Sequence, residues 1–247
     1  MKPYTRITIL IMAHYCRIAA WMRPRVLRVQ ACVSAIWVGL LFVVAAAAAP
    51  DFDHIVRLAQ ERYGAHGEET LRAWRSMLET GKSLSELEKL QLVNAFFNSR
   101  VAFEDDQVVW NLPDYWATPL ETLGRGEGDC EDYSIGKYVS LGMLGVPIER
   151  LRITYVRAEL GRAGSGISQA HMVLAYYATP DAEPLVLDNL VSALRPASRR
   201  PDLRPVFGFN SEGLWVAGNR GPSVAAPTAR LSRWRDLLSR MSADGLN

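Results

Sequence analysis

Gly126-Glu127-Gly128-Asp129-Cys130-Glu131-Asp132-Tyr133 places one cysteine among three carboxylates at the start of a helical run, and its neighbours decide what that cysteine can do. Asp129 is a suitable N-cap, helical spacing covers residues 130–144, and Gly145 and Pro147 stop the helix. A cysteine in a first turn is favoured as thiolate, because unpaired N–H groups and the helix dipole stabilise negative charge there. The plainer alternative is a small buried hydrophobe.

Whether Cys130 stands alone depends on the N-terminus. Residues 1–30 carry Lys2, Arg6, Arg17, Arg23, Arg25 and Arg28 and no acidic residue. An apolar run at 31–44 and the small residues Ala45 to Ala49 before Pro50 then read as a cleavable signal peptide over 1–49. An uncleaved anchor needs roughly 18 apolar residues, a length that 31–49 just reaches. Met22, followed by Arg23-Pro24-Arg25, offers an alternative start. Cys16 and Cys32 leave with the leader, so one thiol remains and no internal disulfide is expected. Of 28 basic and 26 acidic residues, the leader takes six basic ones, leaving a mildly acidic chain of net −4. Nucleic acid is therefore not an expected partner.

The remaining 50–247 is long enough for one domain with a sizeable core. Helical spacing is expected at 51–63, 68–79 and 84–103, the last behind a capping box of Ser83 and Glu86. With a loop at 104–128 and the cysteine helix, this forms a helical lobe over about 50–145. Period-two stretches at 151–156, 169–177, 184–190 and near 214–217 predict an antiparallel sheet over about 146–218, packed on the cysteine helix. The Arg- and Pro-rich segment 192–205 reads as a surface loop. Thr228 is expected to cap a last helix, about 228–242, with Leu231, Trp234, Leu238 and Met241 inward and Arg230, Arg233, Arg235 and Arg240 in solvent. The fold class is α+β.

A thiol nucleophile needs a base, and beyond the leader only His54, His66 and His171 occur. His54 and His66 lie on charged helical stretches where solvated histidines are common. His171 sits in the apolar strand Gln169-Ala170-His171-Met172-Val173-Leu174, where an imidazole needs a polar partner. Asp188, ending the next strand in Leu187-Asp188-Asn189, is placed to orient it, although an aspartate there also starts turns. Three negative charges around Cys130 oppose its ionisation. Either Asp129 caps and Glu131 and Asp132 complement the dipole, or the three ligate a hard cation such as calcium; the spacing fits no EF-hand loop, and both readings stay open.

Together, Trp116-Ala117-Thr118-Pro119-Leu120-Glu121, the Gly126 to Tyr133 run with Lys137-Tyr138 and Leu141, His171-Met172-Val173-Leu174 and Leu187-Asp188-Asn189 resemble the bacterial transglutaminase-like cysteine proteinases, within them the LapG type of periplasmic protease. The resemblance covers roughly 80–217. It implies a papain/transglutaminase-like fold and a Cys130, His171, Asp188 triad. It also implies Ca2+ at Asp129, Glu131 and Asp132, in a periplasmic enzyme that cuts the N-terminal region of a large repeat-rich surface adhesin at a di-alanine site. Release of the adhesin disperses biofilm, and an inner-membrane cyclic di-GMP receptor of the LapD type inhibits the enzyme. The Cys130 backbone N–H and the Trp116 indole are candidate oxyanion donors, although a tryptophan at such a position is more often core. A transglutaminase-like acyl transferase and a non-catalytic calcium-binding module are the alternatives from other classes.

Overall fold

The computed structural model describes residues 50–159, 161, 166–216, 224–225 and 231–246. The expected leader 1–49 and the expected cap Thr228 lie outside them. Among the described residues, no helix is long and apolar enough to cross a membrane.

Helices come first. In α1 (Phe52–Gly81) the Asp51 side chain accepts the His54 N–H, and the two helices expected at 51–63 and 68–79 run into one element bent at Gly64, whose φ of 69° favours glycine. α2 (Glu86–Arg100) is capped by Ser85 with Glu88 rather than by Ser83 with Glu86. Two S-x-x-E boxes overlap here. The second closes because Glu86 is drawn away to the Arg150 guanidinium, 2.8 Å distant, and to the Tyr176 hydroxyl. α2 ends at Arg100 rather than at 103, since β1 (Ala102–Phe103) leaves to pair in parallel with β2 (Glu127–Gly128). The stretch 104–128 is less loop-like than expected. It holds α3 (Asp106–Val109) and α4 (Pro119–Arg125), the latter opened by a Thr118 and Glu121 capping box with proline in its first turn.

After α5 (Cys130–Met143) the chain builds a seven-stranded sheet, every neighbour antiparallel, in the order β6-β5-β4-β3-β7-β8-β9. The strands are β3 (Leu151–Glu159), β4 (Ser168–Tyr176), β5 (Leu185–Leu187), β6 (Arg195–Pro196), β7 (Leu203–Phe209), β8 (Gly213–Val216) and β9 (Val224–Ala225). The expected surface loop 192–205 is thus corrected: it contributes β6 and enters β7, which pairs with β3 inside the sheet. Pro205 hid this strand, since proline removes a ladder donor. The structure accommodates it beside an irregularity in the β3–β7 register at Tyr155 and Val156, where Pro205 faces Val156.

The core lies between sheet and helices: Ile135 and Leu141 of α5 share one buried cluster with Leu71, Trp74, Phe97, Leu151, Ile153, Leu174 and Phe209. A smaller cluster of Val156, Val173 and Val186 is covered by Ala197 and Leu203. The last helix, α6 (Ser232–Ala243), buries Trp234, Leu237 and Met241, with Leu231 and Leu238 only partly covered. Arg240 does not face solvent as expected. It donates to the Glu121 carboxylate and the Trp116 carbonyl, each at 2.6 Å, and so clamps α6 onto α4.

Candidate active site

The pairing of β1 with β2 aims the segment that leads into α5: Ala102 N–H donates to the Gly126 carbonyl at 2.8 Å and Glu104 N–H to the Gly128 carbonyl at 3.1 Å. Asp129 then caps α5, its Oδ1 accepting the Glu131 N–H at 3.1 Å, and Cys130 follows as the first helical residue, half-buried and unbridged. α5 packs on β4, which brings the Cys130 thiol beside the Met172 backbone N–H. The thiol also meets Glu131 Oε2 at 2.7 Å. Burial pushes the thiol's pKa well up, the Glu131 and Asp129 carboxylates push it further, and the Met172 amide opposes them.

Adjacent to Met172, His171 is 2% exposed, and its Nε2 lies 2.8 Å from Oδ1 of Asp188, itself 1% exposed. The antiparallel pairing of β4 with β5, Leu174 opposite Leu187, brings these two together. Sequence order alone predicted the pair; it did not predict what holds the acid. Asp188 Oδ2 accepts Arg200 Nη2 at 2.7 Å, Oδ1 also accepts the Leu190 N–H at 3.1 Å, and the Asp188 carbonyl accepts Asn98 Nδ2 at 2.8 Å. Burial alone would raise the Asp188 pKa, but the His171 hydrogen bond and charge and the Arg200 guanidinium outweigh it and lower it to about 2. Arg200, 3% exposed, comes from the segment expected to be a surface loop. The available signal was chemical: a buried carboxylate that gives one oxygen to an imidazole must satisfy the other, and four arginines follow at 195, 199, 200 and 204.

A cluster of carboxylates adjoins the thiol. Asp106, Asp129 and Asp132 can each direct an oxygen to within 4.8 Å of the others, and Asp129, Cys130 and Glu131 form an overlapping group. Asp132 Oδ1 accepts the Ala117 N–H at 2.7 Å, whereas buried Asp132 Oδ2 and Asp106 Oδ1 have no hydrogen-bond partner among the described residues. A Cβ at position 128 would stand 2.7 Å from Asp132 Oδ2, so glycine there keeps room for that oxygen. Burial, with the neighbouring carboxylates, raises Asp129 to about 10, Asp106 to about 6 and Asp132 well above the usual range. Buried carboxylates facing one another with bare oxygens fit a hard cation. Of the expected ligands, Asp129 and Asp132 are in this cluster, Glu131 faces the thiol, and Asp106 was missed because it lay in a presumed loop.

Beside the thiol a cavity of about 230 Å³ opens between Asp114, Trp116, Glu131, Tyr155, Met172, Phe207 and the start of α6. Its walls are stiffened by ring stacking, Trp116 on Phe209 at 5.6 Å and Tyr155 on Phe207 at 5.3 Å. Trp116 therefore combines its expected core role with a place in the cleft. His54 and His66 stay on α1, where His66 is exposed. Lys137, seven residues along α5 from Cys130, is 1% exposed, lies over the Tyr133 ring at 5.4 Å and has no hydrogen-bond partner among the described residues.

The profile of the bacterial transglutaminase-like cysteine proteinases, BTLCP, matches residues 65–201, more than half of the chain. Legionella pneumophila LapG in its calcium-bound form is 41% identical, with a TM-score of 0.65 over 77% of this chain and 98% of that one. An EGTA-treated structure of the same LapG is also 41% identical, with a TM-score of 0.66 over 78% and 100% of the two chains. Among curated proteins none matches the sequence. These likenesses place the helices and antiparallel sheet in the transglutaminase-like protease fold, and the chain belongs to the bacterial transglutaminase-like cysteine proteinase family.

Proposed function

We propose that the protein is a LapG-type cysteine endopeptidase in which Cys130, His171 and Asp188 form the triad. The observation that carries this reading is the buried 2.8 Å hydrogen bond between His171 and Asp188, one residue from the backbone amide that touches the Cys130 thiol. Asp188 is an acceptor, which places the imidazole proton on Nε2 and leaves the Nδ1 lone pair to take the thiol proton. The thiolate attacks a peptide carbonyl and the C–N bond breaks as the His171 imidazolium protonates the leaving amine. Water, deprotonated by His171, then hydrolyses the thioester and restores the thiol. The oxyanion would form near the Cys130 N–H at the start of α5, and Trp116, in the adjoining cleft, is the second candidate donor.

Asp129 and Asp132, with Asp106 and Glu131 at their sides, would hold calcium, the ion named for the LapG structure. Bound there, it would cancel the negative charge that opposes the thiolate and fix the start of α5. The substrate we infer is the N-terminal region of a large repeat-rich surface adhesin, cut at a di-alanine site in the periplasm. A LapD-type inner-membrane receptor for cyclic di-GMP would hold the enzyme inactive. Likeness to LapG supports these, together with the expected leader 1–49 for export.

The test is an intact-mass cleavage assay on an adhesin N-terminal fragment containing Ala-Ala, with wild type and Cys130→Ala, in calcium or in EGTA. A single cut lost with either the substitution or the chelator is expected. Intact substrate under every condition would overturn the protease reading, and a substrate mass increase without a cut would move it to an acyl transferase.

A further inference from the structure

We propose that Arg200 is a positioning residue for the His171–Asp188 pair, its Nη2 holding Asp188 Oδ2 at 2.7 Å so that Oδ1 stays aimed at His171 Nε2. The role of the pair itself rests on the protease reading above.

An aspartate carboxylate turns easily about its Cβ–Cγ bond, and an imidazole bonded to one oxygen turns with it. Here both oxygens are engaged from different directions. Oδ1 takes His171 Nε2 and the Leu190 N–H, and Oδ2 takes Arg200. Arg200 is fixed in turn by Asp202, which accepts Nε at 3.0 Å and Nη2 at 2.7 Å, and this bidentate clamp leaves the guanidinium little freedom. The arrangement is nearly sealed, with side-chain exposures of 3% for Arg200 and 0% for Asp188. A buried carboxylate needs such a partner whatever its role, but a purely structural ion pair would not have to share its acid with a strand histidine.

Another cation among the described residues acts on Asp188. Lys137 of α5 feels its field, but Lys137 Nζ has no hydrogen-bond partner among the described residues, Asp188 included, and so cannot set the carboxylate's direction. Arg200 can, because its planar fork spans Asp188 and Asp202 together. A lysine at position 200 would keep the charge and lose the fork.

The experiment uses the full chain as wild type, Arg200→Lys and Arg200→Gln, each checked for folding by its melting curve. Cleavage of the Ala-Ala fragment gives kcat and KM per molecule with intact fold. Imidazole 15N chemical shifts at one pH, with the His171 signal identified by its loss in His171→Gln, report which ring nitrogen carries the proton. For Arg200→Lys we expect kcat to fall about 10- to 100-fold with KM within about twofold, the range typical of removing a group that orients an active-site ligand. Arg200→Gln should fall at least as far, and in both variants the Nε2–H tautomer of His171 should lose its dominance. If Arg200→Gln does not fold, Arg200→Lys decides alone. Variants with wild-type kcat per folded molecule and an unchanged tautomer would overturn the proposal. The substrate-free shifts keep the two readings apart: shifts altered in the variants, with a wild-type protein that cuts nothing, would sustain the positioning role and sink the protease.

Discussion

The Cys130 thiol and the Glu131 carboxylate, adjacent in the chain, face each other at 2.7 Å. The contact engages the thiol proton, and the same carboxylate, together with Asp129, opposes a thiolate. A cation drawn to the neighbouring aspartates would therefore act on the thiol through charge.

Calcium should accelerate alkylation of Cys130 by iodoacetamide at pH 7. Each unit by which the thiol pKa falls gives about tenfold more thiolate, so a rate gain of about tenfold or more is expected. Peptide mapping isolates Cys130 from Cys16 and Cys32. Glu131→Gln, which keeps the shape and removes the charge, should raise the rate in EGTA. Equal rates with calcium, with EGTA and in the variant would show that these carboxylates do not govern the thiol.

Calcium should also change how stability depends on pH. Asp106 and Asp129 have folded pKa values of about 6 and about 10 against 3.8 for an ordinary aspartate. Raised folded values mean that these two groups bind more protons in the ion-free folded protein than in the unfolded chain, so their contribution to stability is fully present below about pH 4 and is lost as pH rises through those values. In EGTA the melting temperature should therefore drop between pH 5 and pH 8. With calcium in excess the drop should shrink, because the ion replaces the protons. Parallel melting curves with and without calcium across that range would argue against a cation among these carboxylates.

Asp106 separates the ligand set expected from sequence from the one the fold assembles. Asp129, Glu131 and Asp132 are contiguous around the cysteine, so their chemistry can be read from spacing. Asp106 reaches the same place only because the β1–β2 pairing folds its segment back on the cysteine loop. Asp106→Asn should weaken calcium binding on the order of tenfold, since ligand charge tunes such sites over decades of affinity. Glu104→Gln, on the same segment but outside the cluster, should leave it unchanged. Calorimetric titration checks both, and equal affinity in wild type and Asp106→Asn would remove Asp106 from the site.

Legibility divides in the same way elsewhere. The Gly-Asp-Cys-Glu-Asp-Tyr run at a helix start, an imidazole in an apolar strand and an aspartate at the end of the next are local signals, and the structure brings His171 to Asp188 as their order foretold. α5 and the strands around it are equally local, set by Asp129, Gly145 and period-two patterning. β7 was hidden because Pro205 argues against a strand until its register irregularity is seen. Arg200 was hidden because arginine among prolines reads as solvent-facing, and its burial depends on a carboxylate twelve residues earlier. The capping box was misplaced by two residues because long-range partners, Arg150 and Tyr176, claim Glu86.

Lys137 yields a stability prediction independent of calcium. Burial lowers its pKa from 10.5 to about 7, only partly resisted by Asp188, so the folded state disfavours its charge. Below about pH 7 both folded and unfolded chains carry the proton and the full cost of burying the ammonium is present. As pH rises from 7 toward 10.5, the folded protein sheds the proton while the unfolded chain still holds it, and stability recovers. Lys137→Met keeps the length and apolar stem, so it should stabilise the protein at pH 6 by an amount on the order of the 1–4 kcal/mol seen when buried ion pairs are replaced by apolar residues. The gain should fade toward pH 10. Urea unfolding of the two proteins at pH 6 and pH 10 measures it. A variant less stable than wild type at pH 6 would mean that the ammonium is held by an attraction stronger than the Tyr133 ring and the field of Asp188 together.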